Sequence, residues 1–175
     1  LVSRLKPKQV VAVLGHKHEL VRKCLPKNVK IALQKKMLGT ADAVKVGLSA
    51  LKGFKGTVLI LYGDMPLLKK ETIKKLLDYH FLNNVDATLL TATLKKPFGY
   101  GRIMRDKYSS ISSIVEEKDA DEVQKDIKEI NTGIMAFKKD KLAANLKHIR
   151  ANNRKKEYYL TDIIEILAKQ SCLVD

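Results

Sequence analysis

The chain has 175 residues, 45% of them hydrophobic, so it is long enough for one domain whose core needs no disulfide bonds. Its formal net charge is +15, but only six basic residues are arginine and the lysines are scattered, which favours a lysine-rich surface over a nucleic-acid-binding site. No apolar run approaches the ~20 residues of a membrane span, and the spacing of Cys24 and Cys172 matches no metal site and favours a reducing compartment such as the cytoplasm.

Strands and helices alternate through the first half of the chain. Val58–Tyr62 is an uninterrupted apolar run, typical of a strand buried on both faces of a parallel sheet. In chain order the predicted elements are strand Gln9–Leu14, helix His18–Leu25, strand Val29–Gln34, helix Ala41–Leu51, strand Val58–Tyr62, helix Lys70–Phe81 and strand Ala87–Leu94. This alternation predicts right-handed βαβ units and an α/β fold with a mostly parallel sheet flanked by helices.

The second half changes character at a turn-rich loop, residues 97–101. The predicted elements are short strands Arg102–Met104 and Ser110–Glu116 in a more antiparallel region, an exposed segment Lys118–Asp126, strand Ile130–Phe137, helix Asp140–Arg150, a polar loop Asn152–Lys156, a helix from Asp162 and a further short strand at 172–174. Two local predictions accompany them: Cys24 is a small core residue, and Asp162 with Glu165 forms a capping box. We expect the domain to be incomplete at both ends.

Polar residues cluster where the predicted elements end. Asp64 follows the central strand, and ligands bind beyond the carboxyl ends of parallel strands, where a carboxylate can hold a hard cation beside a phosphate. Two other polar residues at element ends also have ordinary explanations. Thr40 is compatible with a helix cap, and Asn131 is compatible with a turn. His16 and His18 have no further ligands at zinc-site spacing, so we expect no zinc.

Six ordered sequence motifs resemble those of the N-acetylglucosamine-1-phosphate uridylyltransferase family, the pyrophosphorylase half of a bifunctional bacterial enzyme. They cover most of the chain from Gln9 onward, and the whole series is far more specific than any one motif. The matching segments are Leu33–Gln34 with Leu38–Ala43, Leu61–Leu67, Pro97–Ile103, Ile114–Ala120, Glu129–Ile134 and Glu157–Ile164.

This resemblance implies a Rossmann-like nucleotide-diphospho-sugar transferase fold, with residues 1–175 as one partial domain. It implies uridylyl transfer from UTP to N-acetylglucosamine 1-phosphate, giving UDP-N-acetylglucosamine and pyrophosphate for cell-envelope precursors. It further implies a cytoplasmic protein with Mg2+ as cofactor, no nucleic-acid partner, and a parent that forms a homotrimer through a β-helix acetyltransferase domain absent from this chain.

The resemblance also assigns the site residues. Asp64 would be the catalytic metal ligand. On the nucleotide side Gln34 would contact the uracil edge, together with Gly39, Thr40, Tyr62 and Gly63. The residues that would line the sugar site are Gly101, Glu116, Asn131, Tyr159 and Thr161.

The chain departs from the family pattern in three respects. It lacks the opening strand with its glycine-rich basic loop, it lacks an asparagine that is the second metal ligand, and lysines occupy part of loop Asn152–Lys156. We therefore expect the 175-residue piece alone not to turn over UTP. Three alternatives stay open: a nucleotidyltransferase for another sugar phosphate, a regulatory relative that binds sugar nucleotide without catalysis, and a basic nucleic-acid-binding module.

Overall fold

The computed structural model describes residues 2–175. Its strands are β1 Val11–Leu14, β2 Lys30–Leu33, β3 Thr57–Ile60, β4 Ala87–Thr93, β5 Arg102–Arg105, β6 Ile111–Val115 and β7 Glu129–Lys138. Its α-helices are α1 His18–Cys24, α2 Thr40–Ser49, α3 Lys70–Leu82, α4 Glu122–Lys125, α5 Lys139–Asn145 and α6 Asp162–Lys169, with 3-10 turns at Val2–Leu5 and Leu146–His148. Over residues 2–175, no helix is both long and apolar enough to cross a membrane.

The ten-residue strand β7 organises the larger sheet. It pairs with β3, β4 and β5, and β5 pairs in turn with β6. The α/β class, with a sheet core flanked by helices, is confirmed. The pairings in this sheet are nevertheless antiparallel, because β7 lies between β3 and β4, which run in the same direction. Local alternation could not reveal that a later strand inserts between two earlier ones.

Strands β1 and β2 form a separate two-stranded parallel sheet connected through α1. Helix α2 joins it to the main sheet, since Val44 and Leu48 pack on the main core. On the side of β1, a Cβ added at Gly47 would lie 2.9 Å from Val13 Cγ2. The absence of a side chain at Gly47 therefore lets α2 approach β1 closely.

Residues 133–137 of β7 are all buried, and because successive side chains of a strand point to opposite faces, the strand is buried on both faces. Met135 and Phe137 belong to the large core cluster beneath α6, whereas Ile134 and Ala136 belong to a second cluster beneath α3. The fully buried residues of α6 in the large cluster are Ile163, Ile164 and Leu167. The core thus lies on both sides of this one strand.

Two local predictions are wrong. Cys24 is exposed, because α1 buries none of its residues and lies on the outside of the small sheet. Asp162 and Glu165 do not form a capping box: Thr161 is the N-cap of α6 and makes no side-chain cap hydrogen bond. A capping box does occur at Asp121 and Gln124, at the start of α4. The segment 172–174 contributes a single parallel bridge to β4.

Candidate nucleotide-sugar site

The side chain of Tyr62, just beyond the end of β3, packs against the backbone of β7. Gly133 makes this contact possible, because a Cβ at that position would collide with the Tyr62 ring. The backbone of Gly133 has a φ of +81°, in the left-handed region that favours glycine. Its amide donates to Asn131 Oδ1 over 2.9 Å, so the turn alternative for Asn131 is also realised.

Two loops meet beside Asn131. The backbone N–H of Asn131 donates to the Gly101 carbonyl over 2.9 Å. Gly101 lies against the carboxylate of Glu116, since an added Cβ would be 3.4 Å from Oε2. The other oxygen of Glu116 accepts a 3.0 Å hydrogen bond from Thr161 Oγ1. Four of the five residues assigned to the sugar side are therefore joined by direct contacts.

The segment 157–161 is also bonded to the start of α2. Ala41 N donates to Tyr158 O over 2.9 Å, and Tyr158 N donates to Leu38 O over 2.8 Å. The hydroxyl of Thr40 accepts from Leu160 N over 2.8 Å. The alternative role of Thr40 as a helix cap is wrong, because Gly39 occupies the N-cap position.

Gln34 lies at the end of β2 and is only 8% exposed. Its side-chain Nε2 donates to Gly39 O over 3.1 Å and to Asp42 Oδ2 over 2.9 Å. Gly39 in turn approaches Tyr158 so closely that an added Cβ would lie 2.5 Å from Tyr158 O. The nucleotide-side and sugar-side residues are therefore parts of one connected structure.

Asp64 and Gly63 are exposed beyond the end of β3. The pKa of the neighbouring Tyr62 is raised, chiefly by burial and then by the negative charges of Glu116 and Asp64. A connected series of contacts leads from Gln34 through Gly39, segment 158–161, Glu116, Gly101 and Asn131 to Tyr62, with Asp64 two residues further along.

The residues that the resemblance assigns to the sugar form an acidic, partly buried group. Burial raises the pKa of Glu116, although the Thr161 hydrogen bond and the charge of Lys155 oppose that shift. Tyr159 is 8% exposed, and its pKa is raised to about 12, first by burial and then by surrounding carboxylates. Carboxylate and amide oxygens in such a setting can accept hydrogen bonds from hydroxyl groups of a neutral sugar ring.

A single exposed carboxylate, that of Asp64, fits a Mg2+ ion that is also bound by substrate phosphates better than it fits a cation enclosed by protein ligands. Within residues 2–175 no group of three or more His, Cys, Asp or Glu side chains could hold a metal ion. Mg2+ is usually bound through one or two carboxylates plus substrate phosphates. The exposed carboxylate of Asp64 satisfies that requirement.

Sequence reasoning missed two residues that support the site. Asp42 was read only as part of a motif, yet it holds the amide of Gln34. Arg102 is 2% exposed, and its guanidinium lies 2.6 Å from Glu117 Oε2, next to Glu116. An acidic residue in the first turn of a helix and an arginine in a short strand are both common on surfaces, so only their contacts in the folded chain identify them.

The fold is shared with a solved structure. It is similar to the crystal structure of a UDP-glucose pyrophosphorylase complexed with UDP-glucose, with a TM-score of 0.71 and 14% identity, covering 94% of this chain and 71% of the other. A model of the Nucleotidyl transferase family matches residues 5–174. The chain therefore belongs to the nucleotidyl transferase family.

Several relatives are more similar to this chain in sequence. The chain is 53% identical over 157 residues to the bifunctional protein GlmU of Thermosipho africanus, covering 90% of this chain and 34% of the relative. It is 45% identical over 165 residues to GlmU of Streptococcus thermophilus, covering 94% and 36%, and 44% identical over 169 residues to GlmU of Enterococcus faecalis, covering 97% and 37%. The chain thus spans about a third of the length of these relatives.

Proposed function

We propose that the complete protein containing this chain transfers a uridylyl group from UTP to N-acetylglucosamine 1-phosphate, releasing pyrophosphate. The product, UDP-N-acetylglucosamine, would serve cell-envelope synthesis in the cytoplasm. The connected series of contacts from Gln34 to Tyr62, with Asp64 two residues further along, supports this proposal, because it links the residues expected to hold the nucleotide with those expected to hold the sugar. The six motifs and the likeness to GlmU proteins support it.

In this reaction a phosphate oxygen of the sugar phosphate attacks the α-phosphorus of UTP, and pyrophosphate leaves. Both reactants are anions, so the protein mainly aligns them and offsets their repulsion. Gln34, Gly39, Thr40, Tyr62 and Gly63 would hold the nucleotide. The sugar would be held by Gly101, Glu116, Asn131, Tyr159 and Thr161. Asp64 would hold Mg2+, which supplies neutralisation of phosphate charge when it is bound.

Release of pyrophosphate from UTP and N-acetylglucosamine 1-phosphate by the complete gene product tests the proposal. We expect Asp64→Asn to lower kcat about 100-fold or more, because the metal-binding carboxylate is lost. The exposed Asp140 provides a matched control, and Asp140→Asn should leave kcat unchanged. Equal rates for Asp64→Asn and the unmodified protein would remove Asp64 from the site.

Turnover and binding measurements on the complete gene product separate the alternatives. Faster turnover of glucose 1-phosphate would indicate a different sugar specificity, and binding of UDP-N-acetylglucosamine without turnover would indicate a regulatory relative. A nucleic-acid-binding protein would bind mixed-sequence DNA with a steep salt dependence and no preference for UTP. We infer instead that the complete protein has no nucleic-acid partner and is a homotrimer.

A further inference from the structure

We propose that Asp42 determines which base the nucleotide carries, by fixing the orientation of the Gln34 amide. Asp42 is a positioning residue in this proposal, since it acts through Gln34. The inference rests on the proposed function, because it concerns the base of the nucleotide bound at that site.

The Gln34 amide group is held through both of its N–H donors. One donates to Gly39 O over 3.1 Å and the other to Asp42 Oδ2 over 2.9 Å. A carbonyl oxygen and a carboxylate oxygen can only accept hydrogen bonds. Rotating the amide by half a turn would lose both bonds and place Oε1 against two other acceptors. Asp42 and Gly39 thus specify one orientation of Gln34.

The fixed orientation leaves Oε1 as the available end of the amide. Across residues 2–175, Oε1 has no hydrogen-bond donor, and it is not one of the buried polar atoms sealed from solvent. A base whose ring N3 faces Oε1 must therefore present an N–H group at that ring position. Uracil has an imide N–H between its two carbonyl groups, whereas cytosine carries a lone pair at the same ring position.

The burial of Gln34 makes this difference selective. The residue is 8% exposed, so water has little room to separate Oε1 from an acceptor on the wrong base. A site built to hydrogen-bond one partner discriminates strongly against a ligand that leaves its polar group unpaired. The chemical class selected is an imide pyrimidine, uracil or thymine, rather than an aminopyrimidine.

Asp42→Asn tests the inference in the complete gene product. Asparagine can accept from Nε2 or donate to Oε1, so Gln34 would be able to turn. We expect the ratio of kcat/KM for UTP to kcat/KM for CTP to fall about 10-fold or more. Because both rates come from one preparation, a change in the folded fraction cancels from the ratio.

The matched control is Asp78→Asn, the same change at an exposed acid on α3, for which the ratio should stay constant. Asp42→Ala removes the acceptor and adds no donor, so its ratio should fall less than that of Asp42→Asn. The Asp42→Ala variant also tests the inference if Asp42→Asn does not fold. A ratio within twofold of the unmodified protein in the folded variants overturns the role of Asp42. Absence of turnover with UTP in the unmodified protein would instead overturn the proposed function.

Discussion

Gly133 illustrates how single residues in the site meet two requirements at once. Its φ of +81° is costly for any residue with a Cβ, and its missing side chain makes room for the Tyr62 ring. Gly133 lies in β7, and Tyr62 follows the end of β3, the strand that pairs with β7. The glycine therefore connects the backbone geometry of the sheet directly to the position of a nucleotide-side residue.

Substitution of Gly133 separates these two requirements. We expect Gly133→Ala to lower the free energy of unfolding by about 2 kcal/mol or more, since strain and collision with Tyr62 add together. Gly99 is the control: its φ is +86°, but an added Cβ would contact nothing within 4 Å. Gly99→Ala should lower the free energy of unfolding only through backbone strain, by about 1–2 kcal/mol. Equal losses in urea unfolding would contradict a Tyr62 contact.

The environment of Asp162 predicts the sign of a pH dependence of stability. Burial, followed by the charges of Glu116, Glu165 and Asp119, raises its pKa from 3.8 to about 6. The folded protein therefore binds this proton more tightly than the unfolded chain, and the contribution to stability increases as pH falls from about 7 to 4. Asp162→Asn should be more stable at pH 7 by about 1 kcal/mol, after allowance for solvent screening.

Urea unfolding of both proteins between pH 4 and 7 measures this effect. The difference between Asp162→Asn and the unmodified chain should shrink as the pH falls towards 4. A difference that stays constant across this range would show that the Asp162 carboxyl has its ordinary pKa in the fold.

At the scale of elements, the segment 157–161 holds the start of α2 beside the loop that carries Glu116. The sequence predicts this segment as part of a motif that leads into the final helix, with Tyr159 and Thr161 among the sugar-side residues. The structure shows it bonded to Leu38, Thr40 and Ala41 on one side and, through Thr161, to Glu116 on the other. Contacts between residues about 120 positions apart have no signature in local sequence.

Substituting valine for Thr40 removes the hydroxyl group and keeps the shape of the side chain. Thr40→Val leaves the buried amide of Leu160 without an acceptor, so we expect a loss of about 1–2 kcal/mol in the free energy of unfolding. Thr40→Ser keeps the hydroxyl and should recover most of that loss. If Thr40→Ser is as unstable as Thr40→Val, the hydroxyl does not hold segment 157–161.

At the scale of the whole molecule, stability is concentrated around β7. This strand is buried on both faces and pairs with three neighbours, whereas β1 and β2 form a small, partly exposed pair attached through α2. Native-state amide exchange should therefore be slowest for residues 134–137 and much faster for β1 and β2, because small units open locally. Equal protection would show that the two sheets unfold as one unit.

The α/β class and most elements could be predicted from sequence because apolar periodicity reports which side of a segment is buried. The run at Val58–Tyr62 and the alternation that follows it indicated strands and helices close to those observed. Cys24 shows the limit of this signal, since an apolar stripe on α1 has no covering element among residues 2–175. Periodicity indicates that a face is apolar but not what packs against it.

The sequence alone determined the family, since six motifs in order define it without coordinates, and it determined which polar residues stand at the ends of elements. Only the tertiary structure decided that β7 inserts between β3 and β4, that Thr40 bonds to Leu160, and that Asp42 holds Gln34. The physical reason is the difference in the range over which the interactions act. Local propensity and periodicity act over a few residues, whereas strand pairing and side-chain hydrogen bonds depend on distances in space that only the packed chain sets.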